Sequence, residues 1–198
     1  MPSTPDNTRS AQANTQPGGP EALEAPWRLE YLIQAGEAEK AGGAAPGASK
    51  PGGSFLEHYW QTPELDVEHH VLVRTGSGMV LLNAYPYSNG HLLCALGEPR
   101  PRLLDYNSGQ RAALWELVEL GTELCERTLE CQGVNIGVNQ GRAAGAGVPS
   151  HLHVHIVPRW GGDTNFMTVV GQVRVSPSSL EKMAERYRAV LERVRASL

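Results

Sequence analysis

His151-Leu152-His153-Val154-His155-Ile156-Val157 sets three histidines at alternate positions with aliphatic residues between them. Successive side chains of a β-strand point to opposite faces, so this spacing lines three imidazoles along one surface and packs the aliphatic residues beneath the other. Histidine is not favoured in strands, and imidazoles in register repel once protonated, so a structural role alone accounts poorly for the pattern. Two chemistries suit it. His-x-His on a strand can hold a divalent metal, which takes imidazole nitrogens at about 2.0–2.1 Å. Alternatively, one imidazole attacks phosphorus while its neighbours orient it and stabilise charge. The surroundings favour the second. Residues 134–162 contain no carboxylate or thiol, and Asp163 lies just beyond them. They do contain Asn139-Gln140-Gly141 and Gly145-Ala146-Gly147, small residues whose backbone N–H groups can approach phosphate oxygens closely.

Working outward, Val134 to Asn139 reads as a strand, joined to the histidine strand by the glycine-rich stretch 141–147. His70 to Arg74 and Met79 to Asn83 flank Thr75-Gly76-Ser77-Gly78, a hairpin signature. After the turn Tyr85-Pro86-Tyr87-Ser88-Asn89-Gly90, His91 to Ala95 returns as a third strand. In 110–131, Leu114, Leu117, Val118, Gly121, Leu124, Cys125 and Thr128 recur at spacings of three and four, which predicts an amphipathic helix. The chain closes with Ser178-Ser179-Leu180-Glu181, read as a capping box, before Leu180, Met183, Tyr187, Val190 and Val194 on one helical face. The expected class is α+β: a mainly antiparallel sheet with a long helix packed on it and a C-terminal helical extension, residues 172–198.

The remaining chain bounds this domain. Residues 1–25 carry scarcely any large apolar side chain and are expected to be a disordered tail. Residues 26–69 hold a short apolar island, Pro26 to Ile33, and a connection from Ala35 to Gly53 in which 14 of 19 residues are Ala, Gly or Pro. A formal net charge of −4 provides no basic field for nucleic acid. No apolar run is long enough to span a membrane, and the N-terminus lacks the apolar core of a secretory signal. Neither nucleic acid nor membrane is therefore an expected partner. Three cysteines without a CxxC pair (Cys94, Cys125, Cys131) read as reduced thiols of a cytoplasmic protein.

The histidine strand resembles the HφHφHφφ motif of the histidine triad (HIT) superfamily of nucleotide hydrolases and transferases. The likeness extends upstream to Asn83-Ala84-Tyr85-Pro86-Tyr87-Ser88-Asn89-Gly90-His91, similar to the family's N-x-x-P-x-x-x-G-H block, and downstream through Pro158-Arg159-Trp160-Gly161-Gly162-Asp163-Thr164-Asn165-Phe166. That longer ending, with Pro26-Trp27-Arg28-x-x-Tyr31, resembles the bacterial diadenosine tetraphosphate phosphorylase and fragile-histidine-triad branch more than the nucleoside phosphoramidase branch. The resemblance implies a HIT-like fold over residues 70–171. It also implies a homodimer that cleaves dinucleoside polyphosphates at the α-phosphate through a nucleotidyl-histidine. By the same resemblance His153 is the nucleophile, with His151 and His91 behind it and His155 at the phosphate and leaving group. Asn83 matches the ribose-binding position and Asn139 the α-phosphate-binding one, with Gly145, Ala146 and Gly147 in the adjoining loop. No cofactor is required in this reading. Inorganic phosphate is a candidate co-substrate, and a divalent cation can accompany the substrate.

Three departures from the pattern stand out. The region corresponding to the zinc-binding Cys-x-x-Cys of many bacterial relatives is Ser54-Phe55-Leu56-Glu57-His58-Tyr59-Trp60, so no such zinc is expected. Gly147-Val148-Pro149 stands where a serine or threonine often precedes the triad, which leaves hydrolase against phosphorylase open. The 35–53 connection has no counterpart.

Among single residues, Trp115 is expected in the core, and Trp160 is open between a dimer interface and the site. Arg159 suits either a distal phosphate or a surface salt bridge. Cys94 reads as an inert core thiol, and Asn165 and Phe166 receive no role. Three further readings suit the same residues: a phosphoramidase-type hydrolase, a metal-dependent hydrolase using His151 and His153, and a nucleotide-binding module without turnover.

Overall fold

The computed structural model describes residues 53–163 and 178–195. The expected tail, the Pro26–Ile33 island, Asn165, Phe166 and all of the 35–53 connection except Gly53 lie outside the described residues.

The hairpin forms where Thr75 and three small residues allow it. Strands β1 (Val71–Arg74) and β2 (Gly78–Leu82) pair antiparallel, and the Thr75 N–H donates to the Gly78 carbonyl at 2.8 Å. Gly78 has to be glycine, because a Cβ there would stand 2.4 Å from the backbone oxygen of Ala95 on the neighbouring strand. Strands β3 (Leu92–Leu96), β4 (Gly133–Val138) and β5 (His153–Arg159) complete a five-stranded antiparallel sheet in the order β1-β2-β3-β5-β4.

Among the described residues three helices cover it: α1 (Phe55–Gln61), α2 (Ser108–Leu129) and α3 (Leu180–Arg195). The Asn107 side chain caps α2, and Gln110 returns the bond in a capping box. All seven positions of the expected apolar stripe on α2 are buried. They pack, with Met183 and Tyr187 of α3, on the sheet face that carries Val80, Leu82, Leu92, Cys94, Val154 and Ile156. The opposite face carries Val71, Met79, Leu81, Leu93 and Ala95 under Leu56 of α1. Removing a side chain such as Leu56 from water stabilises the packing by about 1.5–3 kcal/mol. No helix among the described residues is long and apolar enough to cross a membrane.

The class and element order match the sequence reading, with four corrections. The histidine strand begins at His153 rather than His151, because backbone bonds from His151 to Val148 (3.2 Å) and from Leu152 to Arg100 (2.8 Å) hold those residues outside the ladder. Helix α1 was not anticipated; at seven residues it is too short to show a period. The cap of α3 is Ser179, whose Oγ accepts from Lys182 N–H at 3.4 Å, one residue later than the capping-box reading from Ser178 placed it. Trp115, expected in the core, is 54% exposed, lying off the stripe that faces the sheet.

Candidate functional site

Pairing of β3 with β5 sets Ala95 beside His153 and Leu93 beside His155, so both imidazoles lie on the α1 face of the sheet. From the other side β4 sets Gly137 beside His155. The small Ala95 flanks His153, and the space over Gly137 is open. His91 and His151 are completely buried, while His153 and His155 retain 5% and 9% exposure. A ligand can therefore reach only the second pair. His153 and His155 stand edge to face at 4.9 Å, and the half-exposed Tyr87 lies across His155 at 5.5 Å and 4.7 Å from His91.

The hydrogen bonds assign a tautomer to each ring. A neutral imidazole has one donor and one acceptor nitrogen, and a carbonyl can only accept. His153 Nδ1 is 2.9 Å from the backbone oxygen of His151, so Nδ1 carries the proton and Nε2 holds a free lone pair. His151 Nε2 is 2.7 Å from the Leu96 carbonyl and must donate to it, leaving Nδ1 to accept from the Ser54 hydroxyl at 2.7 Å. His91 Nδ1 accepts from the Tyr87 N–H at 3.0 Å and faces the Asn83 amide nitrogen at 3.2 Å. Its Nε2–H therefore donates to His155 Nδ1 at 3.0 Å, which leaves the proton of His155 on Nε2. Asn139 brings its amide nitrogen, itself a donor, no nearer than 3.5 Å to that Nε2, so the N–H stays available to an incoming acceptor.

Burial keeps His151, His153 and His155 neutral. Desolvation lowers the pKa of His151 and His153, and it takes His155 down to about 4, with the neighbouring His153 charge adding to the effect. The cluster thus presents an unprotonated nitrogen (His153 Nε2) beside an N–H donor (His155 Nε2), which is the equipment for attack on an electrophile that bears anionic oxygens. His151 and His153 do not aim two lone pairs at one point, because both nitrogens of His151 are engaged by the protein. No group of three or more His, Cys, Asp or Glu among the described residues is arranged to hold a metal ion.

Asn83 is turned into the protein: its Oδ1 accepts from Tyr85 N–H at 2.9 Å while its nitrogen faces His91. The glycine loop carries a correction. Gly141 and Gly145 have φ of 81° and 79°, and a tight turn closes over Arg142–Ala144. That turn consumes the N–H groups of Gly145 and Ala146, which donate to Arg142 and Gly141 carbonyls at 2.8 and 3.2 Å instead of facing outward. Gly147 follows on the path into Val148 and the triad. Arg159 forms a salt bridge with Asp163 (2.5 and 2.7 Å) and also reaches Asn135, so its guanidinium is occupied. The Cys94 thiol is wholly buried, and desolvation raises its pKa far above the ordinary value, as an inert core thiol requires. Sequence reasoning missed Ser54 and Tyr87 at this site. Tyr87 lay inside a motif read for its turn, and Ser54 carried no signal beyond the N-cap of a helix that was not foreseen.

Comparison with known proteins accords with this geometry. A family model for the HIT domain matches residues 64–162. An AP-4-A phosphorylase of Mycobacterium tuberculosis is 32% identical over 156 residues, 78% of this chain and 76% of that one. The crystal structure of the NitFhit protein of C. elegans superposes with a TM-score of 0.51 at 30% identity, covering 62% of this chain and 27% of that one. A zinc-bound histidine triad family protein from Mycobacterium smegmatis shares the fold, with a TM-score of 0.59 at 21% identity over 71% of this chain and 96% of that one. A domain model spanning half the sequence, joined to a relative matched over most of both lengths, places the chain in the HIT family.

Proposed function

We propose that the protein is an enzyme that cleaves dinucleoside polyphosphates such as diadenosine tetraphosphate, with His153 as the nucleophile. The observation that carries the reading is the free Nε2 of His153 held next to the Nε2–H of His155. The name of the mycobacterial relative, a phosphorylase of a dinucleoside polyphosphate, supports the substrate class.

In this reading His153 Nε2 attacks the α-phosphorus, a P–N bond forms, and the P–O bond to the departing nucleoside polyphosphate breaks. His155 Nε2–H donates to that oxygen as its charge grows. The positive charge left on the His153 ring is offset through Nδ1–H by the His151 carbonyl. Inorganic phosphate or water then attacks phosphorus and the P–N bond breaks, restoring neutral His153. Asn83 takes the ribose and Asn139 the α-phosphate, in line with the family resemblance, with Gly145, Ala146 and Gly147 in the adjoining loop. The chain's own groups carry each step, with no cofactor required, and a divalent cation enters only with the substrate's phosphates. The cytoplasm is the proposed compartment, because all three cysteines are free.

The chain works as a homodimer in the same reading. β4 is an edge of the sheet, and Ile136 and Val138 on it are 43% and 40% exposed, near the exposed Trp115 of α2. An apolar edge of this kind invites pairing with a second copy. Sedimentation of purified protein should give twice the chain mass.

The decisive assay incubates diadenosine tetraphosphate with protein, with and without inorganic phosphate, and separates the products. ADP and ATP that appear only with phosphate identify a phosphorylase; AMP and ATP without it identify a hydrolase. No cleavage under either condition overturns the proposal.

A further inference from the structure

Ser54 opens the stretch that stands where many bacterial relatives carry Cys-x-x-Cys, nearly a hundred residues before the triad, yet it is 3% exposed and touches a triad histidine. Its Oγ has one proton and two lone pairs. It accepts from Glu57 N–H at 3.0 Å, which caps α1, and stands 2.7 Å from His151 Nδ1. His151 Nε2 must give its proton to the Leu96 carbonyl, so Nδ1 is the acceptor and the Ser54 hydroxyl donates to it. The backbone oxygen of the same His151 accepts from His153 Nδ1.

A continuous path therefore runs from the start of α1, through a buried ring and its own peptide, to the ring with the free lone pair. The far end of α1 is also fastened: Arg74 donates to the Trp60 and Tyr59 carbonyls at 2.9 and 2.8 Å, and its guanidinium lies 4.9 Å over the Trp60 ring. A seven-residue helix does not persist unaided, so these ties decide where Ser54 sits.

We infer that Ser54 is a positioning residue of the histidine site. By donating to Nδ1 it holds the plane of His151, whose tautomer the Leu96 carbonyl fixes, and so the direction of the peptide carbonyl that orients His153. The inference deepens the proposed function and rests on His153 being the nucleophile.

Three variants test it: Ser54→Ala and Ser54→Gly, which remove the hydroxyl, and Ser54→Thr, which keeps it. Glycine is a tolerated N-cap, costing only about a few tenths of a kcal/mol, so Ser54→Gly separates the bond to His151 from capping of α1. Both hydroxyl-free variants should lose about tenfold in kcat on diadenosine tetraphosphate, with KM within about twofold. Ser54→Thr should stay near wild type. Nitrogen-15 spectra of imidazole-labelled protein should show His151 as the Nε2–H tautomer throughout, with its unprotonated Nδ1 shifted toward the value of an imidazole nitrogen without a hydrogen bond in Ser54→Ala and Ser54→Gly but not in Ser54→Thr. Unchanged kcat in both hydroxyl-free variants, or a Thr variant as impaired as Ala, would overturn the inference. If wild-type protein cleaves no dinucleotide, the proposed function falls separately, and the imidazole spectra alone decide whether Ser54 sets His151.

Discussion

His91 Nε2 lies 3.0 Å from His155 Nδ1, and the direction of that bond is decided at the other side of the His91 ring. There the Tyr87 N–H, at 3.0 Å, and the Asn83 amide nitrogen, at 3.2 Å, both face Nδ1, so the ring proton has to sit on Nε2. His155 is thereby held with its own proton on Nε2, beside His153. A histidine with no route to solvent thus determines what its reachable neighbour can donate.

Replacing His91 should expose this dependence. His91→Ala removes the donor, lets His155 exchange tautomers, and is expected to lower kcat by about 10–100-fold. His91→Gln, whose amide can still donate toward Nδ1 of His155, should recover part of the loss. Steady-state kinetics of the two variants measure the difference, and equal losses would count against tautomer control.

His153→Asn should abolish turnover while nucleotide binding persists, because ribose and phosphate contacts do not need the imidazole. A fall of about four orders of magnitude corresponds to about 5.5 kcal/mol of transition-state stabilisation. Denaturant-quenched wild-type protein should carry acid-labile nucleotide, and the variant none. Because burial lowers the pKa of His153, the neutral nucleophile persists below its ordinary titration range, and wild-type kcat/KM should be level near pH 7 and fall only on the acid side. A profile that falls on the alkaline side of neutrality would contradict a neutral nucleophile.

Stability should also follow pH in a defined direction. As pH drops below the ordinary histidine value of 6.5, the unfolded chain takes up protons that folded His155, with its pKa at about 4, refuses. The unfolded state then binds more protons, so the free energy of unfolding declines from about pH 6.5 to about pH 4, with His155 contributing about 3 kcal/mol of the loss. Urea titrations across this range, compared with His155→Gln, check it: the variant should show a shallower decline.

Gly90→Ala should be costly although it deletes nothing. Gly90 has φ +83, and a Cβ there would meet Leu129 Cδ1 at 2.4 Å and the Tyr187 hydroxyl at 3.0 Å. That hydroxyl donates to the Gly90 carbonyl at 2.7 Å, tying α3 to the residue before His91. A loss of about 1–3 kcal/mol in chemical unfolding is expected, with a fall in kcat as His91 shifts. An unchanged urea midpoint would refute the packing argument.

Residue spacing alone determined a good deal. Alternation in 151–157 announced a one-sided histidine face, and the three- and four-residue recurrence from Leu114 to Thr128 named every buried position on α2 that faces the sheet. These features are periodic and local, so side-chain pattern and strand or helix geometry suffice to read them. Trp115 departs from its expected core place because apolar character does not say which side of a helix a residue takes, and its angular position lies just off the stripe. The inward turn of the Gly145 and Ala146 amides depended on φ values that glycine permits without dictating.

Only the tertiary structure decided which nitrogen of each histidine carries a proton. That assignment depends on single atoms delivered by distant segments, the Leu96 carbonyl from β3 and the Tyr87 N–H from a turn, and the Ser54 hydroxyl from the cap of α1 meets the lone pair left on His151. Backbone carbonyls and amides are identical at every residue, so no side-chain pattern marks the one that will face an imidazole. The sequence alone determined where the histidines stand along the sheet. Their chemistry was settled by hydrogen-bond partners up to 97 positions away, which only the folded chain brings within 3 Å.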